Sequence, residues 1–398
     1  MALATGVAKQ VRFKKETTWG VAAGATGGQL LRRVTSDLSL TKEAYQSAEI
    51  RTDYQVADYR HGVRSVAGSI NGELSPKTYS QFIAAALRKD FVAGASTGAG
   101  TTYAVAGTGT TLTDSSSGFV TDGFKVGDVI SATGFTTANN NDHYCLVTGV
   151  AAGTLNIVPL DGVVLTDEVA GDTVTISVVG KKSYTPETAQ TDDSFSIEHF
   201  HDDVDESELF TGCKVNSVNV ALPPTGMATI GIDFMGKDIT TAQAEYFTSP
   251  TATTNTGILA SVNGLAYALG SRQTVLTGLT INVAGNMSAE PVVGSNTYPD
   301  IFEGRVVVTG ELTAFFENGD LRDAFIDEDE VALMFVFTTS NAKNPDFVSF
   351  VMPRVKLGSA TKDDGEKGLV QTISYQALFN DTGTGEDKTT LIVQDSAA

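Results

Sequence analysis

The chain has 398 residues, of which 41% are apolar, two cysteines and a formal net charge of −20. This length can supply the cores of two domains, and abundant Gly, Thr, Val and Ser favour a β-rich protein. The acid excess excludes a basic surface that binds duplex DNA for affinity, because such binding needs Lys and Arg to displace counterions from phosphates. Cys145 and Cys213 lie far apart in the sequence and predict buried free thiols.

The charge is distributed unevenly along the chain. Residues 1–98 carry 13 basic and 8 acidic side chains, residues 99–183 carry 3 and 8, and residues 184–398 carry 11 and 31. The N-terminus lacks the apolar segment of a secretory signal, and the charge-free run 246–271 is too polar for a membrane span. We therefore expect a protein that is made and kept in a cytosol until used and has no membrane partner.

The first ninety residues predict strands, a projecting loop and one helix. Strands are expected over 9–13 and 30–40. The highly charged segment 41–62 sustains neither period and predicts a long loop whose Arg, Asp and Tyr side chains face a partner, with a mobile solvated loop as the alternative. A strand from residue 63 then leads to a helix with Ser75 as N-cap and Pro76 at the first helical position. Its buried stripe is Tyr79, Phe82, Ile83, Ala86 and Leu87.

A second β unit follows a Gly- and Ala-rich linker at 91–109. Short strands recur over 110–183, separated by turn residues, which is typical of a small sandwich or barrel. We place the domain boundary so that residues 99–183 form an inserted domain, and residues 1–98 and 184–398 form one discontinuous domain. The turn Asn139 to His143 lacks the ligand pattern of a calcium loop.

The last two hundred residues predict mostly strands. Residues 214–222 and 227–235 alternate apolar and polar positions around a Pro-Pro-Thr-Gly turn and predict a hairpin. His199 and His201 alternate with acidic residues, which is weak evidence for a metal and favours an exposed edge. A short helix is predicted at 318–326, and surface excursions at 250–292 and 358–368. The remaining predicted strands cover 195–200, 278–284, 305–312, 331–337, 347–352, 354–357, 369–379 and 391–393.

The chain contains no motif for nucleophilic catalysis, phosphate binding or metal binding. Four histidines leave few acid–base candidates, although a carboxylate pair remains conceivable. The sequence therefore favours a structural role with no catalytic residue, no metal and no cofactor.

Five segments together resemble the tail tube proteins of long-tailed, non-contractile bacteriophages. They are residues 54–88 (YQVADYRHGVRSVAGSINGELSPKTYSQFIAAALR), 123–135, 139–150, 210–238 (FTGCKVNSVNVALPPTGMATIGIDFMGKD) and 353–381. The resemblance implies a tail-tube-type β-sandwich or barrel with a flanking α-helix. It also implies six copies per ring, rings stacked head to tail into a hollow conduit for viral DNA, and tape measure, terminator and tip proteins as partners. The inserted domain is expected on the tube exterior, and the protein in the virion tail after assembly in the host cytoplasm.

The acidic part of the chain suits a DNA conduit, because carboxylates that face a channel repel phosphates. From the polar faces of the predicted strands we expect the residues facing the DNA to be Glu198, Asn216, Asn219, Asp233 and Glu311. Head-to-tail stacking needs two different complementary faces. For contacts between copies we expect Arg51, Asp53, Asp58, Arg60 and Arg64 on one face and Asp202, Asp203, Asp205 and Glu206 on the other.

The alternative function is a carbohydrate- or cell-surface-binding β protein that uses the inserted domain as its binding head. Isolated β-sandwiches bind many ligands, so the fold class does not separate the two hypotheses. An enzyme ranks third, because it would need a carboxylate pair that nothing in the sequence singles out.

Overall fold

The computed structural model describes residues 3–252, 259–268, 270–273, 275–364, 366 and 368–398. The mainly β fold is confirmed. The first elements are β1 (Lys9–Lys15), β2 (Gln29–Leu31), β3 (Thr35–Ser36), β4 (Ser39–Gln46), β5 (Tyr59–Glu73), α1 (Ser80–Leu87) and β6 (Val92–Ala93). Next come β7 (Tyr103–Ala106), β8 (Thr111–Asp114), α2 (Phe119–Asp122), β9 (Val129–Thr133), β10 (Cys145–Ala151), β11 (Thr154–Pro159) and β12 (Thr175–Val178).

The remaining elements complete the fold. They are β13 (Lys181–Tyr184), β14 (Phe195–His201), β15 (Glu206–Leu222), β16 (Thr229–Gly236), β17 (Asp238–Ala242), β18 (Thr251–Ala252), β19 (Gly264–Ala268), β20 (Ser271–Arg272), β21 (Leu276–Ala284), β22 (Val307–Phe315), α3 (Asp320–Ile326), β23 (Glu330–Thr338), β24 (Phe347–Leu357), β25 (Thr361–Lys362), β26 (Val370–Ala377) and β27 (Ile392–Asp395). Single turns of 3₁₀ helix occur at Ala138–Asn140, Ser261–Asn263 and Gly385–Asp387.

Six antiparallel strands form what we call the main sheet, in the order β5, β16, β15, β21, β22 and β26. The period-2 pattern of each strand turns its apolar residues to one side, as Ile230, Ile232 and Phe234 show on β16. The hairpin predicted at 214–222 and 227–235 is confirmed by the pairing of β15 with β16. Beyond β26 the sheet continues through β24 to β23 and β27.

A second layer covers the apolar side of the main sheet. It contains β1, β14 and the first half of β15, with α1 packed against them. The ring of Phe82 on α1 lies 4.5 Å from that of Phe13, 4.9 Å from that of Phe195 and 5.3 Å from that of Phe234. The predicted flanking helix is therefore the plug of the larger core.

The predicted start of this helix is wrong. Lys77 has a positive φ of 66°, which ends any helical path from Ser75, and the helix begins at Ser80. The carboxylate of Asp395 accepts hydrogen bonds from the Lys77 N–H (2.8 Å) and the Ser80 hydroxyl (2.6 Å). A residue from the last strand thus organises the helix start, and Ser75 instead donates to the Thr78 hydroxyl.

Other predicted boundaries also change. The expected loop at 41–62 includes the ends of β4 and β5, which pair as a hairpin, and residues 47–58 between them lack strand structure as predicted. The expected strand at 30–40 is divided among β2, β3 and β4, because Val34 turns its N–H to the Asn71 carbonyl. The excursions expected at 250–292 and 358–368 contain β18 to β21 and β25. Residues 253–258, 269, 274, 365 and 367 lie outside the described residues.

Residues 103–178 form a separate six-stranded sheet in the order β12, β9, β10, β11, β8, β7, with its own buried cluster. We call this part the inserted module and the rest of the described chain the body. Lys182 is buried between the Asp128 carboxylate (2.9 Å) and Glu386, where module and body meet. Burial alone would lower the pKa of Lys182, but the two carboxylates raise it. The Gln394 side chain adds hydrogen bonds to both backbone groups of Val129.

Candidate functional site

The outward side of the main sheet, which we call the polar face, carries small polar residues and carboxylates in register across all six strands. This polar composition follows from strand geometry, because successive side chains lie on opposite sides of a sheet. When every second residue is apolar and buried, the residues between them face outward. One row across the sheet is Glu73, Thr229, Ala221, Thr280, Glu311 and Ser374.

A parallel row contains Asp233, which lies beside Ser69 on β5 and Ser217 on β15. The Ser217 hydroxyl donates a hydrogen bond to the Asp233 carboxylate at 2.5 Å. Asn219 lies beside Asn282 on the neighbouring strand. The face is therefore covered by short side chains that hydrogen-bond along its surface.

The charge of this face has one sign. In the rows that align with residues 69–73, the outward residues of the main sheet include the carboxylates Glu73, Asp233 and Glu311 and no Lys or Arg. In the row of residue 67, Lys214 lies beside Met235, but it is buried and paired with Asp192 and Asp300. On β24, which follows β26, Lys356 lies beside Gln376. Glu73 was absent from the predicted set, although its alternation with Ser69 and Asn71 could have identified it.

Three of the five residues predicted to face DNA lie on this polar face: Asn219, Asp233 and Glu311. Asn216 is the extra residue of a bulge between Val215 and Ser217, and its side-chain oxygen accepts the Met287 N–H at 3.0 Å. A bulged residue leaves the register of the strand, so Asn216 stands apart from the other three.

The prediction for Glu198 is wrong. Its side chain is fully buried and accepts hydrogen bonds from the Ser207 hydroxyl (2.6 Å) and from the N–H groups of Tyr246 (2.5 Å) and Phe247 (3.0 Å). The Arg12 guanidinium lies 3.8 Å from its carboxylate. Alternation correctly placed Glu198 on the side of β14 away from Phe195 and Ile197, but a second set of side chains covers that side.

The hairpin of β4 and β5 projects from the main sheet, and its tip is exposed. Ile50 and Tyr54 are completely exposed, at 102% and 99% of the reference area. The predicted contact arginines have partners within the chain: Arg51 pairs with Asp53 at 2.8 Å, Arg60 with Asp58 at 2.5 Å and Arg64 with Asp238 at 2.5 Å. The hydrogen bond between these two side chains raises the pKa of Arg51 and lowers the pKa of Asp53.

The predicted acidic residues between β14 and β15 form a turn beside the N-terminus. The Asp203 carboxylate accepts hydrogen bonds from the Thr5 N–H (2.6 Å) and hydroxyl (3.0 Å), and Glu206 accepts one from Gln243 (3.4 Å). Asp202 is exposed and Asp205 has a positive φ of 56°. The structure does not bring this turn together with Arg51, Arg60 or Arg64, so their pairing between copies stays a prediction.

The histidine singled out in the sequence as a weak metal candidate, His199, has a structural environment. The His199 ring is buried and its Nε2 lies 2.7 Å from the Ser36 hydroxyl. Burial, followed by the charges of Lys9 and Arg33, lowers the pKa of His199 to about 3, so the ring is neutral at physiological pH. Among the described residues, no group of three or more His, Cys, Asp or Glu side chains is arranged to hold a metal ion.

The inserted module shows no aromatic platform for a sugar. Residues 99–183 are all described, and their five aromatic side chains are buried or half-buried. These are Tyr103, Phe119, Phe124, Phe135 and Tyr144. The Tyr144 ring packs edge-on against Phe347 of the body, 5.8 Å away. Nothing in this surface favours the carbohydrate-binding alternative over the structural one.

Comparisons with known proteins bear on the whole chain. None of the helices in the described parts has the length and apolar character needed to cross a membrane. A search of curated proteins found no match. A family model described as phage tail tube protein matches residues 6–377.

Proposed function

The chain belongs to the phage tail tube protein family, and on that premise we propose that six copies close into a ring and that rings stack head to tail into a DNA conduit. Membership of this family supports a structural subunit of the virion tail rather than an enzyme. The tail type we propose is the long, non-contractile one, with assembly in the host cytoplasm and tape measure, terminator and tip proteins as partners.

The observation that carries the proposal is the part of the polar face aligned with residues 69–73, where the outward side chains include three carboxylates and no Lys or Arg. A bore lined by short hydroxyl, amide and carboxylate side chains offers DNA no cation to hold its phosphates. Repulsion from Glu73, Asp233 and Glu311 reaches about 8 Å at physiological salt, so it acts on DNA close to the wall. We therefore place the polar face toward the bore and replace Glu198 by Glu73 in the predicted set.

Ring closure is supported by an open sheet edge. Among the described strands, β4 pairs only with β5, which leaves one side of β4 without a strand partner. An exposed edge is a template for another chain, and a closed ring of copies removes it. We propose that this edge joins the main sheet of the neighbouring copy, which makes the bore a continuous β surface.

The domain boundaries fit the same arrangement. We propose residues 1–98 and 184–398 as the tube domain and residues 99–183 as an inserted domain outside the tube. The module contacts the body through β13, β24 and β27 and contributes no strand to the main sheet. Because the module is not part of the main sheet, the polar face can line the bore while the module lies outside the tube.

The test separates assembly from DNA passage. Phage carrying Glu73→Gln, Asp233→Asn and Glu311→Gln together should form normal tubes by electron microscopy and eject DNA more slowly. The matched control neutralises three carboxylates of the module, as Asp122→Asn, Asp142→Asn and Asp167→Asn, and should eject at the wild-type rate. Equal ejection rates for both triple variants would contradict the bore assignment, and purified wild-type protein without rings or tubes would contradict the tube assignment.

A further inference from the structure

One lysine lies buried between two carboxylates where the module meets the body. The Nζ atom of Lys182 lies 2.9 Å from Oδ1 of Asp128, and it also contacts the carboxylate of Glu386. The side chains of Lys182 and Asp128 are 1% and 4% exposed, and that of Glu386 is 23% exposed. Two acidic groups therefore share one basic group, and of the three only Glu386 has substantial access to solvent.

The lysine is held in place by its strand and by the packing of its side chain. In β13, Lys182 lies between Val92 of β6 and Gln394 of β27, so its backbone is fixed on both sides. A Cβ atom placed on Gly94 would come within 3.0 Å of the Lys182 Cε, which shows that the methylene chain is closely packed. The amine therefore has little freedom to leave the Asp128 carboxyl group.

Burial favours the uncharged forms of these groups. One ammonium and two carboxylates together would carry a net negative charge away from water, which is costly. Burial, ahead of the opposing effect of Lys182, raises the pKa of Asp128. When Asp128 is protonated, transfer of a proton from the ammonium to Glu386 leaves a neutral amine facing a neutral carboxylic acid. That transfer takes place inside the cluster and leaves no buried charge without a partner.

The Asp128 carboxyl group is oriented for addition at its carbon atom. Its Oδ1 faces Lys182, and its Oδ2 accepts a hydrogen bond from the Lys125 N–H at 2.9 Å. A backbone donor fixed on one carboxyl oxygen stabilises the negative charge that develops there when a nucleophile adds to the carbon. Groups that are already held in contact lose no further translational freedom on reaction, which lowers the barrier to condensation.

We propose that Lys182 and the protonated Asp128 condense to an isopeptide bond, with Glu386 as the acid–base group. Glu386 takes a proton from the ammonium, and the amine lone pair then forms the Nζ–Cγ bond. The Cγ–Oδ1 bond breaks, and Glu386 protonates the departing hydroxyl group, which leaves as water. Glu386 then takes a proton from the new amide nitrogen. The products are a neutral amide, one water molecule and a protonated Glu386, and no oxidant or reductant is needed.

This bond attaches the module to the body covalently, in addition to its two chain connections. It closes the chain between residues 128 and 182, so that β9 to β12 remain in a loop when the protein unfolds. The reaction requires the module and the body to be docked, because docking brings the three side chains together. Freshly refolded protein therefore holds the ion pair, and the contribution of the ion pair to stability is measured before the bond accumulates. The inference does not depend on the proposed tube function.

Mass spectrometry of the denatured full chain tests the bond. The mass of the wild-type chain should fall after refolding by that of one water molecule, and proteolysis should yield a branched peptide that joins Asp128 to Lys182. Glu386→Gln keeps both bonding side chains and should slow this loss by roughly 100-fold or more. Lys182→Arg should keep the full mass. The matched control is Asp387→Asn, which changes the neighbouring carboxylate, paired with Lys125, and should lose water as the wild type does.

A denaturing gel gives a second measurement, since the looped wild-type chain should migrate faster than Glu386→Gln. Circular dichroism confirms that each variant is folded. A wild-type chain that keeps its full mass, or a loss of water that persists in Lys182→Arg, would overturn the proposed bond. Equal rates of loss in the wild type and Glu386→Gln would overturn the role of Glu386.

Discussion

The inserted module and the β4–β5 hairpin both extend from the same body, but they are held in opposite ways. The module has its own apolar core and meets the body at the buried Lys182. The hairpin tip has no core, and its ion pairs, such as Arg51 with Asp53, are solvated. A buried charge is strongly destabilising once its partner is removed, whereas an exposed pair contributes little.

This difference separates two uses of charge in one chain. At the module joint, charge fixes one arrangement of two folded parts. At the hairpin, the fold gains little from the charges, which is compatible with the proposed contact between copies. Substitutions at the joint should therefore change stability, and substitutions at the tip should change assembly.

The largest effect is expected from Lys182→Ala. It leaves Asp128 buried with an unpaired charge, which typically costs about 3–5 kcal/mol in the free energy of unfolding. Thermal and denaturant unfolding of the variant should show this loss. Lys181→Ala is the matched control, because Lys181 is the exposed neighbour on β13 and should change stability little.

A double variant sharpens the interpretation of the joint. Lys182→Met with Asp128→Leu removes the buried pair, leaves only the part-exposed Glu386 without its partner, and should recover much of the stability, because a buried pair contributes little more than apolar side chains of similar size. If Lys182→Ala unfolded with wild-type stability, the ion pairs at the joint would contribute as little to stability as those of the hairpin. If the double variant were no better than the single one, the loss would come from packing rather than from an unpaired charge.

A buried histidine extends the comparison to pH. The pKa of His199 is lowered from 6.5 to about 3, so its stabilising contribution is complete above pH 6.5 and is lost as the pH falls toward 3. The loss should approach about 1.4 kcal/mol per pH unit in that interval. We expect His199→Gln to flatten the dependence of unfolding free energy on pH. Identical pH profiles for wild type and His199→Gln would contradict the burial argument.

A carboxylate inside the module should show a smaller effect. Burial alone would raise the pKa of Asp114, but hydrogen bonds from Thr102, Gly118 and Ser116 outweigh it and lower the pKa. The contribution is therefore present above pH 3.8 and is lost as the pH falls further. Asp114→Asn should reduce stability by about 1–3 kcal/mol at pH 7, and the difference from wild type should shrink below pH 3.8.

Asp53→Asn provides the hairpin counterpart to that variant. Its carboxylate also has a lowered pKa, but the group is exposed to solvent and its pair with Arg51 is screened. Unfolding curves of Asp53→Asn should coincide with those of wild type at both pH values. A loss equal to that of Asp114→Asn would show that the tip is part of the cooperative fold.

The sequence predicted the β class and much of the alternation correctly, because period-2 burial is a local property of each strand. The hairpin of β15 and β16 and the polar positions of Asp233 and Glu311 followed from this pattern. It failed at Glu198, where alternation cannot reveal that a second layer covers the polar side. It also failed at the start of α1, since Asp395 lies more than three hundred residues from Ser80 in the sequence.

The smallest effect on stability, and a large one on assembly, is expected at the hairpin tip. Arg51→Ala with Arg60→Ala removes only solvated pairs, so the monomer should unfold at the wild-type temperature. The same variant should form rings that stack poorly, and raising the salt concentration should shorten wild-type tubes in the same direction. Sedimentation at several salt concentrations measures both effects on one preparation. Normal stacking by the double alanine variant would show that the tip arginines are not needed for assembly. A lowered unfolding temperature would show that the hairpin charges stabilise the fold, as the charges at the module joint do.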